Sequence, residues 1–119
     1  PLVAGEDVDR VARGADRMLR CLREAGVDMI LCGHEHRSWA RLATEAPHAG
    51  PGVLVVHAGT ATSDRVRGEG NCFNVVDMEG DAVTVTVETY QDAGSRWTPL
   101  RRTSFVERGR WRLVESAPA

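Results

Sequence analysis

Apolar side chains recur every three or four positions between residues 8 and 25, which predicts an amphipathic helix. The repeating positions are Val8, Val11, Ala12, Ala15, Met18, Leu19 and Leu22. Asp7 is a suitable N-cap, and Gly26 stands where a C′ glycine would end the helix. We expect Met18 and its apolar neighbours in this pattern to pack into the core.

Two short apolar runs, at residues 27–32 and 53–58, predict strands that are buried on both faces. The segment 44–52 between them contains two prolines and two glycines, which predicts a loop, and we take His48 within it as a surface residue. A helix followed by two such strands indicates an α/β layer. We expect the helix to cover one face of a sheet that contains both strands.

After Gly59 the apolar positions alternate with polar ones, which is typical of half-exposed antiparallel strands. The pattern predicts two hairpins: residues 71–77 with 83–88 around a tight turn at 78–81, and residues 97–106 with 110–114 around Glu107-Arg108-Gly109. The second half of the chain is therefore expected to be an antiparallel meander.

Composition places the chain among ordinary globular proteins, with 119 residues, 42% hydrophobic and 27% charged. No apolar run reaches the roughly 20 residues needed to span a bilayer, and no signal peptide is evident. The net charge of −2 gives no general attraction to nucleic acid. Three widely separated cysteines argue against a disulfide framework, so we expect a cytoplasmic protein.

Every basic residue is arginine, which indicates codon bias in a GC-rich, bacterial genome. Five arginines fall between Arg101 and Arg112 at near-alternating spacing. They form either the solvated face of a hairpin or a phosphate-binding patch, and we favour the first.

The candidate chemistry lies in Gly33-His34-Glu35-His36, which directly follows the first predicted strand. Imidazole is the commonest protein ligand for divalent transition metals, and glycine allows a sharp turn or a close approach to an ion. Other His-x-His motifs do not fit. A zincin helix needs His-Glu-x-x-His, but Ser38 stands where its second histidine would be. A metallo-β-lactamase-like site needs His-x-His-x-Asp-His, but Ser38 and Trp39 occupy the last two places. An amidohydrolase-like barrel needs far more chain after its His-x-His than follows His36.

The segment "aGVDMILCGHEH" resembles the last motif of the calcineurin-like metallophosphoesterases. The later segment "VLVVHAGTATSDRVRGEGNCFNVVDMEGDAVTVTVETY" is similar to the part of that family in which a strand ends in Gly-Thr, passes an Arg-containing loop and returns through an Asn-containing strand. The resemblance covers roughly residues 8 to 91. It implies the C-terminal half of a four-layer α/β/β/α sandwich, with residues 1–60 carrying the ligand loop and residues 61–119 the hairpins.

The resemblance further implies a centre of two divalent metal ions (Mn, Fe or Zn), with His34 on one ion and His36 on the other. The family's Asp-x-His, Gly-Asp and Asn-His motifs are missing from this sequence. Because the chain opens with Pro1, we expect the N-terminal half of the same domain to lie upstream and to supply them. We therefore expect a phosphoester substrate for the complete protein and little or no hydrolysis by these 119 residues alone.

Other side chains leave alternatives open. Arg65 and Arg67 either contact a substrate phosphate or lie in a solvated loop. Glu35 is expected to be solvated, with an outer role at the metal site as the alternative. His57 either faces the same sheet edge as the histidine loop or is a plain structural residue. Cys32 is either a soft ligand or a small buried hydrophobic residue, and we favour the second.

Two functions from different classes remain. The first is a metal-dependent phosphoesterase that hydrolyses phosphate monoesters or diesters, of which this chain is the C-terminal portion. The second is a non-catalytic binding or scaffold module that retains the sheet without the chemistry.

Overall fold

The computed structural model describes residues 13–43, 52–64 and 70–119. These residues form one α-helix, one short 3₁₀ turn and seven strands. In chain order the elements are α1 (Ala15–Glu24), β1 (Met29–Cys32), β2 (Trp39–Ala43), β3 (Val53–His57), β4 (Cys72–Glu79), β5 (Ala82–Gln91), the 3₁₀ turn (Asp92–Gly94), β6 (Arg96–Glu107) and β7 (Trp111–Pro118). The described part of the chain is therefore mostly β, with strands in two sheets.

Helix α1 ends as its sequence predicts. Gly26 adopts φ 78°, its N–H donates to the carbonyl of Arg23, and the N–H of Val27 donates to the carbonyl of Leu22. This is a Schellman motif, which satisfies carbonyls that the last helical turn leaves unpaired.

The beginning of α1 differs from the prediction. The helix starts at Ala15 because Gly14, at φ 77°, takes a left-handed conformation that no α-helix can contain. The expected N-cap Asp7 and the expected helical residues 8–12 lie outside the described residues. Met18 is 43% exposed, so its expected core position is wrong, whereas Leu19 is buried.

The first sheet has the order β1-β3-β2, with β1 parallel and β2 antiparallel to β3. All five residues of β3 are buried, so this strand is covered on both faces, as its continuous apolar run predicts. The same prediction is wrong for β1, where no residue is fully buried and Leu31 is 66% exposed, because no strand pairs with its outer edge within the described residues. Strand β2 was not anticipated, because its sequence Trp-Ala-Arg-Leu-Ala alternates poorly and is short. The predicted loop 44–52 lies outside the described residues, apart from Gly52.

The second sheet is a four-stranded antiparallel meander in the order β4-β5-β6-β7. Both hairpins that the alternating pattern predicts are present, although β7 runs four residues beyond the expected end. Gly80 at φ 59° and Gly109 at φ 73° occupy the two tight turns, where glycine takes the left-handed conformation without a Cβ clash.

The two sheets share one hydrophobic core. Its buried members are Leu54, Val56, Val83, Val85, Phe105 and Trp111. The indole N–H of Trp111 also donates to the carbonyl of Asp28, at 3.0 Å, and so ties β7 to the residue preceding β1. Burial of each such side chain contributes about 1.5–3 kcal/mol. The hydrophobic effect at this core is therefore the main interaction that holds the two sheets together. The described residues contain no helix long and apolar enough to cross a membrane.

Candidate metal-ligand loop

The segment 33–38 joins β1 to β2 at the carboxyl edge of the first sheet. Because β1 and β3 are parallel and Cys32 pairs with His57, both strands end at this same edge. The N–H of Ala58 donates to the carbonyl of Cys32 at 2.8 Å, which extends the ladder to the last residue before the loop. A Cβ at Gly33 would lie 3.8 Å from the carbonyl oxygen of Ala58, an ordinary contact. The structure thus confirms the predicted position of the histidine loop.

His34 and His36 both have positive backbone φ angles, of 98° and 60°. Residues other than glycine rarely adopt positive φ angles. Such conformations persist where the surrounding structure imposes them, often at functional sites. His34 is exposed and His36 is half-buried. The loop therefore holds two accessible imidazoles on an unfavourable backbone, with one residue between them.

The imidazole of His57 lies fully buried next to this loop. Its Nδ1 lies 2.8 Å from the carbonyl oxygen of Arg37, and its ring stacks on the indole of Trp39 with centroids 4.9 Å apart and an interplanar angle of 14°. A carbonyl oxygen can only accept, so Nδ1 carries the hydrogen of this bond. The structure places His57 at the sheet edge that also carries the histidine loop, and its full burial and backbone contact fit the structural alternative as well.

Glu35 is not a solvated side chain, contrary to expectation. Its side chain is only 18% exposed, and Oε2 lies 3.9 Å from Nε2 of His57. That nitrogen is buried and makes no hydrogen bond within the described residues. Four residues after Glu35, β2 begins to pair with β3 at the register Trp39 with His57, so the loop stays close to the His57 ring.

A polar network links the loop to the second sheet. The hydroxyl of Ser38 donates to Oδ1 of Asn74, whose Nδ2 donates to the carbonyl of His57 at 3.0 Å. Arg101 donates through Nη2 to the carbonyl of Ser38. Asn74 and Arg101 occupy strand positions that face the first sheet, so the expectation of a wholly solvated arginine face is wrong at Arg101.

Sequence reasoning missed Ser38, Asn74 and Arg101 as members of this region. A signal was present for Asn74, because it stands between Cys72 and Val76 at a position whose alternation calls for an apolar residue. Buried polar side chains need hydrogen-bond partners, so such a break in the pattern points to a polar contact inside the core. Arg101 gave no comparable signal among its neighbouring arginines.

The sulfur of Cys32 is half-buried in β1. Burial raises the pKa of its thiol, and the nearby carboxylate of Glu35 raises it further. The half-buried position of Cys32 in an apolar strand favours it as a small apolar residue, the alternative preferred from sequence.

The expected substrate residues Arg65 and Arg67, and also His48, lie outside the described residues. Within the ranges that the structure describes, no group of three or more His, Cys, Asp or Glu side chains is placed to hold a metal ion. Imidazole nitrogens suit transition metals such as Fe and Zn, so the chemistry of His34 and His36 fits such ions. Two imidazoles alone are fewer than the three protein ligands of a catalytic zinc site.

Comparison with known proteins gives no relative. No family model matches the chain, and neither the curated proteins nor the solved structures contain a match.

Proposed function

We propose that this chain is the C-terminal portion of a metal-dependent phosphoesterase that hydrolyses phosphate monoesters or diesters through a dinuclear centre. The observation that carries the proposal is the Gly33–His36 loop, which presents two imidazoles from positive-φ positions at the carboxyl edge of a parallel strand pair. In this proposal the two packed sheets are the inner layers of an α/β/β/α sandwich formed by the complete domain.

In this proposal His34 ligates one ion and His36 the other. Residues two apart in an irregular loop are able to ligate two neighbouring metal ions. The strained backbone restrains the position of each imidazole. When bound, two divalent ions supply an activated water and stabilise charge on the phosphoryl oxygens. Arg65 and Arg67 are proposed to contact the substrate phosphate through bidentate hydrogen bonds.

The remaining ligands are proposed to come from the N-terminal half of the same domain. The missing carboxylates would bridge and separate the ions, a role that imidazoles cannot fill. We therefore propose that the 119 residues bind metal weakly when alone and do not turn over substrate.

The proposal is tested in the complete protein with His34→Ala, His36→Ala and the double variant, using His48→Ala as a control that also removes one imidazole. Manganese-dependent hydrolysis of bis-p-nitrophenyl phosphate should fall by more than about 100-fold in each loop variant, since even outer partners of metal ligands are worth about 10- to 100-fold. Metal content should fall in parallel. Full activity in the double variant would refute the family assignment.

The second candidate is a non-catalytic binding or scaffold module. The lack of a complete ligand group in the described residues is compatible with it as well as with a half-site. The coding sequence upstream of Pro1 separates the two. An open frame that encodes Asp-x-His, Gly-Asp and Asn-His motifs supports the enzyme, and a start codon close to Pro1 supports the module.

A further inference from the structure

The contacts of His57 follow a regular pattern along the loop. Three alternate residues touch this one imidazole: Glu35 faces its Nε2, the carbonyl of Arg37 accepts from its Nδ1, and Trp39 stacks on its plane. His36 lies between the first two of these contacts in sequence, and His34 directly precedes the first. The loop and the first residue of β2 therefore contact one buried ring, which belongs to β3.

Hydrophobic packing alone does not account for an imidazole at this position. His57 is fully buried, and the four residues that precede it in β3 are Val, Leu, Val and Val. A buried polar nitrogen without a hydrogen-bond partner costs about 1–3 kcal/mol, and Nε2 is such an atom within the described residues. An apolar residue in this place would avoid that cost. The imidazole is better explained by the hydrogen bond that its Nδ1 donates to the loop.

The hydrogen bond from Nδ1 acts on the backbone that carries the ligands. Arg37 directly follows His36, so anchoring its carbonyl restrains the Arg37–Ser38 peptide, one residue beyond the positive-φ His36. Trp39 fixes the ring plane, and the carbonyl of His57 itself is held by Asn74. The backbone of His57 is thus held from the second sheet, and its ring restrains the loop.

We propose that His57 is a positioning residue that holds the His34–His36 loop in its metal-binding conformation, chiefly through the hydrogen bond from Nδ1 to the carbonyl of Arg37. This inference rests on the proposed function, and it extends it to a residue that ligates nothing. Outer hydrogen bonds that orient ligands are typically worth about 10- to 100-fold in metal affinity.

The experiment uses two substitutions of the same ring. His57→Asn places an amide N–H near the position of Nδ1 and keeps a donor for Arg37, whereas His57→Leu retains bulk and removes the donor. Manganese affinity of the complete protein is measured by calorimetry, together with the melting temperature. We expect His57→Leu to bind manganese at least about tenfold more weakly, and His57→Asn to recover most of that loss.

A matched control separates positioning from general loss of stability. Thr103→Val alters another buried polar side chain, 7% exposed, whose hydroxyl contacts Ser116 in the second sheet. It should lower the melting temperature without changing manganese affinity. If His57→Leu and His57→Asn lose affinity equally, or if neither loses any, the positioning role is refuted. If His34→Ala and His36→Ala bind manganese as the wild type does, it is the proposed function that fails.

A second measurement does not require the variants to fold. In the complete protein labelled with ¹⁵N-histidine, the ring nitrogens of His57 report which of them carries the hydrogen. A hydrogen on Nδ1, in slow exchange with water because the ring is buried, is the expected result. A neutral ring with its hydrogen on Nε2 alone would mean that the bond to Arg37 does not exist, and it would overturn the inference.

Discussion

The sulfur of Cys72 occupies the space into which Gly59 would project a side chain. A Cβ built on Gly59 would lie 2.2 Å from Sγ of Cys72, which is itself only 1% exposed. Gly59 lies two residues after the end of β3, and Cys72 is the first residue of β4. Their contact therefore determines how closely the edge of the first sheet approaches the second. Glycine is required here for space, since its backbone does not take a positive φ.

Gly59→Ala should therefore destabilise the fold by about 1–3 kcal/mol, the usual cost of inserting a carbon into a packed interior. Chemical denaturation of the complete protein measures the change. The control is Gly70→Ala, where the added Cβ would meet only Thr89 Oγ1 at 3.6 Å, an ordinary contact. In the double variant Gly59→Ala with Cys72→Ala, most of the overpacking cost should disappear. An additive double variant would show that the sulfur is not the obstacle.

The strained backbone at His36 gives a prediction that isolates conformation from side-chain chemistry. His36→Gly and His36→Ala both remove the imidazole, but only glycine is free of the Cβ clash at φ 60°. His36→Gly should be more stable than His36→Ala by about 1 kcal/mol. Ser95, at φ 47° beyond the histidine loop, is the matched control and should show the same preference for glycine. Only the His36 pair should lose activity in the complete protein. Equal stabilities for the two His36 variants would contradict the strain.

Sequence pattern was sufficient for the parts of the fold in which one rule dominates. Strict alternation at Val83, Val85 and Val87 predicts β5, and the continuous apolar run predicts β3 as a strand covered on both faces. The sequence pattern did not predict β2, because that strand depends on pairing with β3 rather than on its own composition. The predicted start of α1 was wrong because the left-handed conformation of Gly14 makes the helix begin after it, although the apolar pattern continues before it.

The candidate site shows the same division. His34 and His36 were identified because a motif in one short segment carries the signal. Glu35 and His57 were misjudged or left open, since their roles depend on a contact between β3 and a loop some twenty residues earlier. Asn74 and Arg101 reach the site from another sheet, and no local pattern encodes that approach.

An ion pair between two turns should respond to acid. Nε of Arg108, in the β6–β7 turn, lies 2.8 Å from Oδ2 of Asp81, in the β4–β5 turn. Hydrogen bonding and the charge of Arg108 lower the pKa of the Asp81 carboxyl below its ordinary value. Because the folded-state pKa is the lower one, the stabilisation is present above the unfolded value of about 3.9 and is lost as the pH falls through the folded value.

Carboxyl ¹³C titration checks this directly. Arg108→Gln should return the pKa of Asp81 towards the ordinary value. Both partners are solvent-exposed, so the change in stability should be small. An unchanged pKa of Asp81 in Arg108→Gln would show that the pair does not persist in solution.

The exposed edge of β1 gives the last prediction. Within the described residues β1 pairs on one side only, with β3, and Leu31 in its middle is 66% exposed. An unpaired strand edge beside an apolar side chain invites pairing with another chain. We expect the 119-residue chain, expressed alone, to self-associate and to melt without sharp cooperativity, as half of a domain would.

Leu31→Lys should shift the chain towards monomer in sedimentation velocity, because a lysine at a strand edge opposes strand addition. Met78→Lys is the control, since Met78 is equally exposed, at 68%, but lies on β4 of the other sheet. Association that persists in Leu31→Lys and disappears in Met78→Lys would place the interface on the second sheet. A wild-type chain that is monodisperse and unfolds in one sharp transition would argue that the 119 residues are a complete domain, and the half-site proposal would fall with that result.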